Sequence, residues 1–156
     1  MADMLIKLYA LPHRQIEIQH LGDLDIIIRR PMAYEQNQVT QWIAACFNPM
    51  WAQECAAAFG QHPIGCYVAV HEGGLAGFCC VNCTFKNFVG PIGVVDPWRG
   101  QGVGRALLRS ALDDLRHSGY MYAIVGDAGS PVFFEKAAGA VEIAGSKPGP
   151  YPPRLK

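Results

Sequence analysis

Apolar residues recur along this chain in two rhythms, and the rhythms mark the elements. Over 33–47, Val39, Trp42, Ile43, Cys46 and Phe47 return at intervals of three and four, the period of an amphipathic helix, which Asn48-Pro49 closes. A shorter helix over 50–59 carries Trp51, Cys55, Ala58 and Phe59 on one stripe and stops at Gly60. Two short helices joined by one tight turn predict a lid over a site, with Trp51 and Glu54 as its substrate-facing residues. The strongest helical period spans 102–117, where Val103, Leu107, Leu108, Ala111, Leu112 and Leu115 oppose Arg105, Arg109, Asp113 and Arg116. A last helix is expected over 132–138, after Ser130 as cap and Pro131 in the first helical turn.

Between the helices the rhythm changes to runs that suit strands: 5–11, 24–30 with its β-branched Ile26-Ile27-Ile28, 66–71, 75–85, 88–95, 120–125 and 141–144. Glu17, Gln19 and His20 alternate with Ile16, Ile18 and Leu21, which suits a half-exposed strand or one helical turn equally. Glu72-Gly73-Gly74 joins 66–71 to 75–85 as a hairpin. The return strand is almost wholly apolar, so helices must cover both faces of the sheet. The order predicts an α/β chain of the α+β type, a sheet flanked by about four helices. Within 88–95, Gly90-Pro91 and Gly93 predict a bulge or splay, because proline lacks a ladder donor and glycine weakens a strand interior. A strand bent from its neighbour leaves N–H and C=O groups that an extended amide-containing ligand can satisfy.

Composition narrows the picture little further. The 156 residues fit one domain, 51% hydrophobic and 17% charged, too apolar for a disordered chain and too interrupted for a membrane span. Thirteen basic and thirteen acidic residues balance, giving no global reason to expect nucleic acid or an anionic membrane as partner. The start has no apolar run of signal-peptide length, so a cytoplasmic, reducing setting is expected. Six cysteines are accordingly read as free thiols. Cys80-Val81-Asn82-Cys83 has metal-ligand spacing but no second pair beside it in sequence, and no metal is expected. The stretch 147–153 is an extended, proline-rich tail.

The stretch from Val94 to Leu108 concentrates the chemistry. Gly100, Gly102 and Gly104 stand at every second position where a strand end meets a helix start. Glycine costs about 1 kcal/mol relative to alanine in a helix, so its use here is bare backbone, and a loop of N–H groups entering a helix N-terminus is an anion site. A P-loop is excluded because Arg105-Ala106 follows Gly104 where Lys-Ser or Lys-Thr is required. The glycine spacing and the position of the motif, near residue 100, also exclude a dinucleotide fold, although Asp127 sits where its ribose-binding acid would be sought.

Arg99-Gly100-Gln101-Gly102-Val103-Gly104 resembles the Gln/Arg-x-x-Gly-x-Gly/Ala signature of the GNAT superfamily of acyl-CoA-dependent N-acyltransferases. Val94 to Trp98 is similar to that family's strand end and turn, and Arg105-Ala106-Leu107-Leu108 to its helix start. The order of elements agrees over about 24–144, so the chain reads as a single N-acetyltransferase domain, 1–156, with 145–156 as tail. The resemblance implies a mixed, mostly antiparallel sheet splayed beside the bulged strand, with acetyl-CoA as acyl donor. Its pantetheine arm would lie on Val94 and Val95, and its pyrophosphate on Arg99, Gly100, Gln101, Gly102, Val103, Gly104 and Arg105. Family chemistry implies direct attack of an amine, from a small molecule or peptide, on the thioester. A homodimer stays open.

A later family pattern, Asn-x-x-Ala-x-x-hydrophobic-Tyr-Glu-Lys-x-Gly-Phe, lines up with Asp127, Ser130, Phe133, Phe134, Glu135, Lys136 and Gly139-Ala140. Ser130 and Phe134 are thereby expected at the cofactor. The tyrosine that protonates the departing thiolate in many members is Phe134 here, and a phenyl ring carries no such proton. Tyr122 is the replacement proton donor expected from sequence, and Glu54 the expected base. The alternative is an acyl-CoA-binding sensor on the same fold.

Overall fold

The structure is a computed structural model describing residues 1–11 and 21–156. The undecided segment around Ile16, Glu17, Ile18, Gln19 and His20 lies outside them. Among the described residues, seven strands form two antiparallel sheets: β2 (Ile26–Arg29), β3 (Cys66–His71), β4 (Gly74–Val81) and β5 (Val89–Val94) in that order, and β6 (Tyr122–Val125), β1 (Met4–Lys7) and β7 (Val141–Glu142) with β1 in the middle. One parallel bridge, Phe88 to Ile124, joins the sheets, with the Ile124 N–H donating to the Asn87 carbonyl at 3.0 Å. Beyond it β5 and β6 diverge. The predicted mixed, mostly antiparallel and splayed sheet is what the chain forms.

Helices cover both faces of the four-stranded sheet. On one face lie α1 (Gln36–Cys46) and α2 (Pro49–Ala58), where Val39, Ile43, Ala52, Cys55 and Ala58 bury against Val68, Phe78 and Cys80. Asn48 caps α2 by accepting from the Trp51 N–H at 2.9 Å, with Pro49 in its first turn. These helices are core-packed, so they form a fixed wall rather than the expected lid. On the other face lies α3 (Val103–His117), whose Leu107, Leu108, Ala111, Leu112 and Leu115 pack with Cys79 and Val81. Gly77 makes room for it: an added Cβ would lie 2.8 Å from Leu107 Cδ1 and 2.9 Å from the Gly93 carbonyl oxygen. Next to α3 runs α4 (Pro131–Ala138).

Several boundaries move for local reasons. The first strand stops at Lys7 because Leu8 to Ala10 turns into a 3-10 helix, with buried Leu8 donating to the Met121 carbonyl at 2.9 Å. The return strand β4 ends at Val81, not Phe85, because Asn82 takes φ +56° and its side chain accepts from the Asn87 N–H at 2.7 Å. Tyr120 falls in the turn that closes α3 rather than in β6, since its N–H donates to the Leu115 carbonyl at 3.1 Å. Arg109, placed by periodicity on the polar side of α3, is buried and paired with Asp113 at 3.0 Å. All six cysteines are free thiols, and no helix among the described residues is long and apolar enough to cross a membrane.

Candidate cofactor and acceptor cleft

The divergence of β5 and β6 opens a cleft of about 1490 Å³, larger than the roughly 300–1,000 Å³ typical of a drug-sized ligand and suited to an elongated one or to two ligands together. Its side is the bulged strand. Cys79 pairs with Ile92 and Val81 with Val89, so Gly90-Pro91 together oppose the single residue Cys80, and Gly90 takes φ +123°. The bulge expected from sequence is present. β5 is the last strand of its sheet, so past the Phe88 bridge no strand pairs with its outer edge among the described residues.

The glycine stretch forms one end of the cleft. Asp96 to Trp98 makes a 3-10 turn, Gly100 and Gly102 take φ +74° and +85°, and Gly102 is the N-cap of α3 without a side-chain cap. The first intrahelical bond is Ala106 N–H to the Gly102 carbonyl, 3.1 Å. The N–H groups of Val103, Gly104 and Arg105 therefore precede the helical ladder, at the positive end of the helix dipole. The three glycines have different causes. Positive φ alone demands glycine at 100 and 102. Gly104 sits inside the helix, lines the cleft, and would place a Cβ at ordinary contact distances of 3.5 Å from Val94 and 3.6 Å from Phe133. Neither backbone nor neighbours exclude a side chain there, so a close approach from the cleft side is the remaining reason for its absence.

Of the residues expected at the cofactor, Val94, Arg99, Gly100, Gly102, Gly104, Arg105, Ser130 and Phe134 line the cleft. Val95 does not: its N–H donates to the Ala76 carbonyl at 3.0 Å and its carbonyl accepts from Trp98 at 3.0 Å, so the sheet takes one group and the 3-10 turn the other. Gln101 is also outside the lining, its amide donating to the Pro97 carbonyl at 2.8 Å and shaping the turn. The Val103 side chain is core, which leaves its backbone for a ligand. Arg99 bonds the Val94 carbonyl at 2.9 Å and pairs with Asp96 at 2.8 Å, while Arg105 donates to the Lys136 carbonyl at 2.8 Å. Ser130 occupies the N-cap of α4 but makes no capping bond through its side chain, so its expected role as cap is not observed. Phe134 is buried, its ring edge-on to Phe133 at 5.0 Å.

At the other end stand Trp51 and Glu54 from α2. The Trp51 ring packs on Phe47 at 5.6 Å and Phe78 at 6.2 Å, so it is both core and lining. Glu54 accepts from the Thr84 hydroxyl at 3.0 Å. Tyr122 must be corrected: it lies outside the cleft, exposed, edge-on to Tyr9 at 5.7 Å, because strand alternation turns its side chain away. A hydrogen bond with Tyr9 raises its pKa, which makes it a weaker acid still.

The tyrosine that does line the cleft is Tyr151, from the proline-rich tail. Its hydroxyl donates to Asp3 Oδ1 at 3.1 Å, and the same oxygen accepts from the Asp127 N–H at 2.8 Å. An added Cβ at Gly126 would coincide with this hydroxyl. Burial, then the charge of Asp3 and the hydrogen bond to it, then Asp127 and Glu54, push the Tyr151 phenol well above its ordinary pKa. No periodicity marks this tail in sequence.

The family model of the acetyltransferase (GNAT) family matches residues 36–139, which includes most of this cleft. The chain belongs to the GNAT acetyltransferase family. This GNAT chain is similar in fold to a glucosamine N-acetyltransferase region of a fungal multi-domain β-N-acetylglucosaminidase (TM-score 0.74, 13% identity, 91% of this chain and 19% of that one). It is also similar to a GCN5-related N-acetyltransferase from Sphaerobacter thermophilus (0.65, 18%, 91% and 48%) and to a GNAT acetyltransferase from Brucella melitensis in complex with acetyl-CoA (0.56, 20%, 84% and 93%). The chain thus spans about a fifth and about half of the first two. No curated protein matches it.

Proposed function

We propose that this GNAT chain transfers an acetyl group from acetyl-CoA to an amine. The observation that carries the reading is Gly104, a helical glycine with room for a side chain, beside unladdered N–H groups at one end of a cleft bounded by an edge strand. The N–H groups of Val103, Gly104 and Arg105 would hold pyrophosphate oxygens, with Arg99, Arg105 and Lys136 supplying positive charge at that end. The outer edge of β5, from Gly90 to Val94, would hold the amide arm as a strand would. The acetyl complex of the Brucella protein supports this choice of donor.

Glu54 on α2 and Asp127 on the 126–130 loop place acidic groups in the cleft, which suits a cationic amine as acceptor. Glu54 takes a proton from the ammonium form; the freed nitrogen lone pair then forms the new N–C bond as the C–S bond breaks, the electron pair leaves with sulfur, and the acylated nitrogen sheds its surplus proton to solvent to give the neutral amide. Phe134 supplies no proton to that sulfur. Tyr151 is a poor donor, because its acidic neighbours hold its proton against a thiol of ordinary pKa about 8.5. Solvent is therefore the proton source.

Phe134 also favours the second reading, an acyl-CoA-binding sensor without efficient transfer. Calorimetric titration with acetyl-CoA, joined to a free-thiol release assay over a panel of amines, separates the two. Release above the uncatalysed rate supports transfer; binding without release supports the sensor; no binding removes both.

A further inference from the structure

Sequence spacing leaves Cys80-x-x-Cys83 without a second cysteine pair, and the fold supplies one. Cys55 on α2, Cys66 on β3 and Cys80 on β4 are all buried, and their sulfurs lie within 4.8 Å of one another. Cys55 and Cys66 stand at 3.8 Å. A tetrahedral zinc centre with Zn–S of about 2.3 Å spaces its sulfurs by roughly 3.8 Å. Cys83, half-buried and two residues beyond β4, comes next along the chain, its thiol donating to the Val81 carbonyl at 3.5 Å. The surroundings are apolar: Val68, Phe78, Ala52 and Ala58 pack about the cluster.

We infer that Cys55, Cys66 and Cys80, with Cys83 as fourth ligand, form a binding site for Zn²⁺. Three elements, α2, β3 and β4 with the turn after it, converge on it, and a disulfide between any two of the buried sulfurs would leave the third stranded in the core. Each ligating thiol gives up its proton as its sulfur lone pair binds the metal, so uptake releases protons to solvent. The site also has a position. Cys55 follows Glu54 and Cys83 precedes Thr84, and Glu54 and Thr84 are bonded at 3.0 Å in the cleft wall. A metal here fastens α2 to the β4–β5 turn directly behind the acceptor end.

The test is titration of the reduced, metal-free chain with Co²⁺ under argon. One equivalent should produce a near-ultraviolet thiolate-to-cobalt charge-transfer band and the intense visible bands of a tetrahedral site, and Zn²⁺ should bleach both. Cys83→Ser, at the half-buried ligand, should weaken binding at least tenfold, and Cys80→Ser should abolish it, whereas Cys46→Ser, an exposed thiol elsewhere, should leave it unchanged. Circular dichroism confirms that each variant is folded, and Cys83→Ser carries the test if Cys80→Ser is not. Absence of the charge-transfer band in the folded wild-type chain overturns the inference. So does a band that survives in Cys83→Ser at full affinity, or a Cys55–Cys66 disulfide as the sole response of the cluster.

Discussion

Gly104→Ala separates a glycine kept for its backbone from one kept for a ligand. In the apo chain the new methyl meets Val94 Cγ2 at 3.5 Å and Phe133 at 3.6 Å, ordinary contacts, and the residue lies in the first turn of α3. Alanine is favoured over glycine in a helix interior by about 0.8–1 kcal/mol, and roughly half of that is expected in a first turn. At about 2–4 °C per kcal/mol for a domain of this size, Tm should rise by about 1–2 °C. The methyl also stands between the cleft and the N–H groups of residues 103–105, so acetyl-CoA affinity should fall at least tenfold, about 1.4 kcal/mol. Gly102→Ala is the contrast: at φ +85° an alanine costs about 1–2 kcal/mol, so stability should fall as well. Differential scanning fluorimetry and calorimetry on the two variants give both numbers. A Gly104→Ala chain that gains stability and binds acetyl-CoA within twofold of wild type would refute the assignment of this end to the pyrophosphate.

Phe134→Tyr restores a phenol at the position facing the cleft and should raise kcat for thiol release several-fold with KM for acetyl-CoA unchanged; an unaltered kcat in a folded variant contradicts solvent as the limiting proton source. Tyr151→Phe removes the bond to Asp3, costing about 1 kcal/mol and about 2–4 °C in Tm, yet the pH profile of kcat should match wild type; loss of its acidic or basic limb would make Tyr151 the acid after all. Glu35 accepts from Arg29 at 2.7 and 2.8 Å, which lowers its pKa from 4.5 to about 2. Its folded value lies below the unfolded one, so its contribution is present above about pH 4.5 and is lost as pH falls toward 2. Thermal melts of Glu35→Gln should therefore show a shallower decline than wild type across that window, and parallel curves would contradict it. Gly77→Ala should cost about 1–3 kcal/mol by overpacking Leu107 and the β5 backbone, read as a lowered urea midpoint.

The parts legible in the sequence are those whose cause is local. The apolar stripe of α3 and the Gly90-Pro91 bulge follow from period and from ring and φ constraints within a few residues. The glycine stretch was likewise readable, although its three glycines have two separate causes that only backbone angles distinguish. What escaped depends on pairing at a distance. Val95 looks like its neighbour Val94 in sequence, but pairing with Ala76 takes its N–H and the turn to Trp98 takes its carbonyl. Tyr122 sat on the expected strand and pointed to the wrong side of it, a one-residue matter of alternation. Cys55, Cys66 and Cys80 belong to three elements whose convergence no spacing rule encodes.

The position of β1 has a consequence for how the molecule is made. Met4 to Lys7 pairs with residues 122–125 on one side and with Val141 and Glu142 on the other, and Asp3 ties the 126–130 loop to Tyr151. These are among the longest closures in the chain, and contacts so far apart in sequence form slowly because the entropy of closing the intervening loop precedes any reward. The β2–β5 sheet and its helices rest on far shorter connections and assemble without them. The cleft therefore acquires its floor after its walls, and pulse-labelling hydrogen exchange during refolding should find the Leu8 and Asp127 amides, bonded to the Met121 carbonyl and to Asp3, protected later than those of β3 and β4.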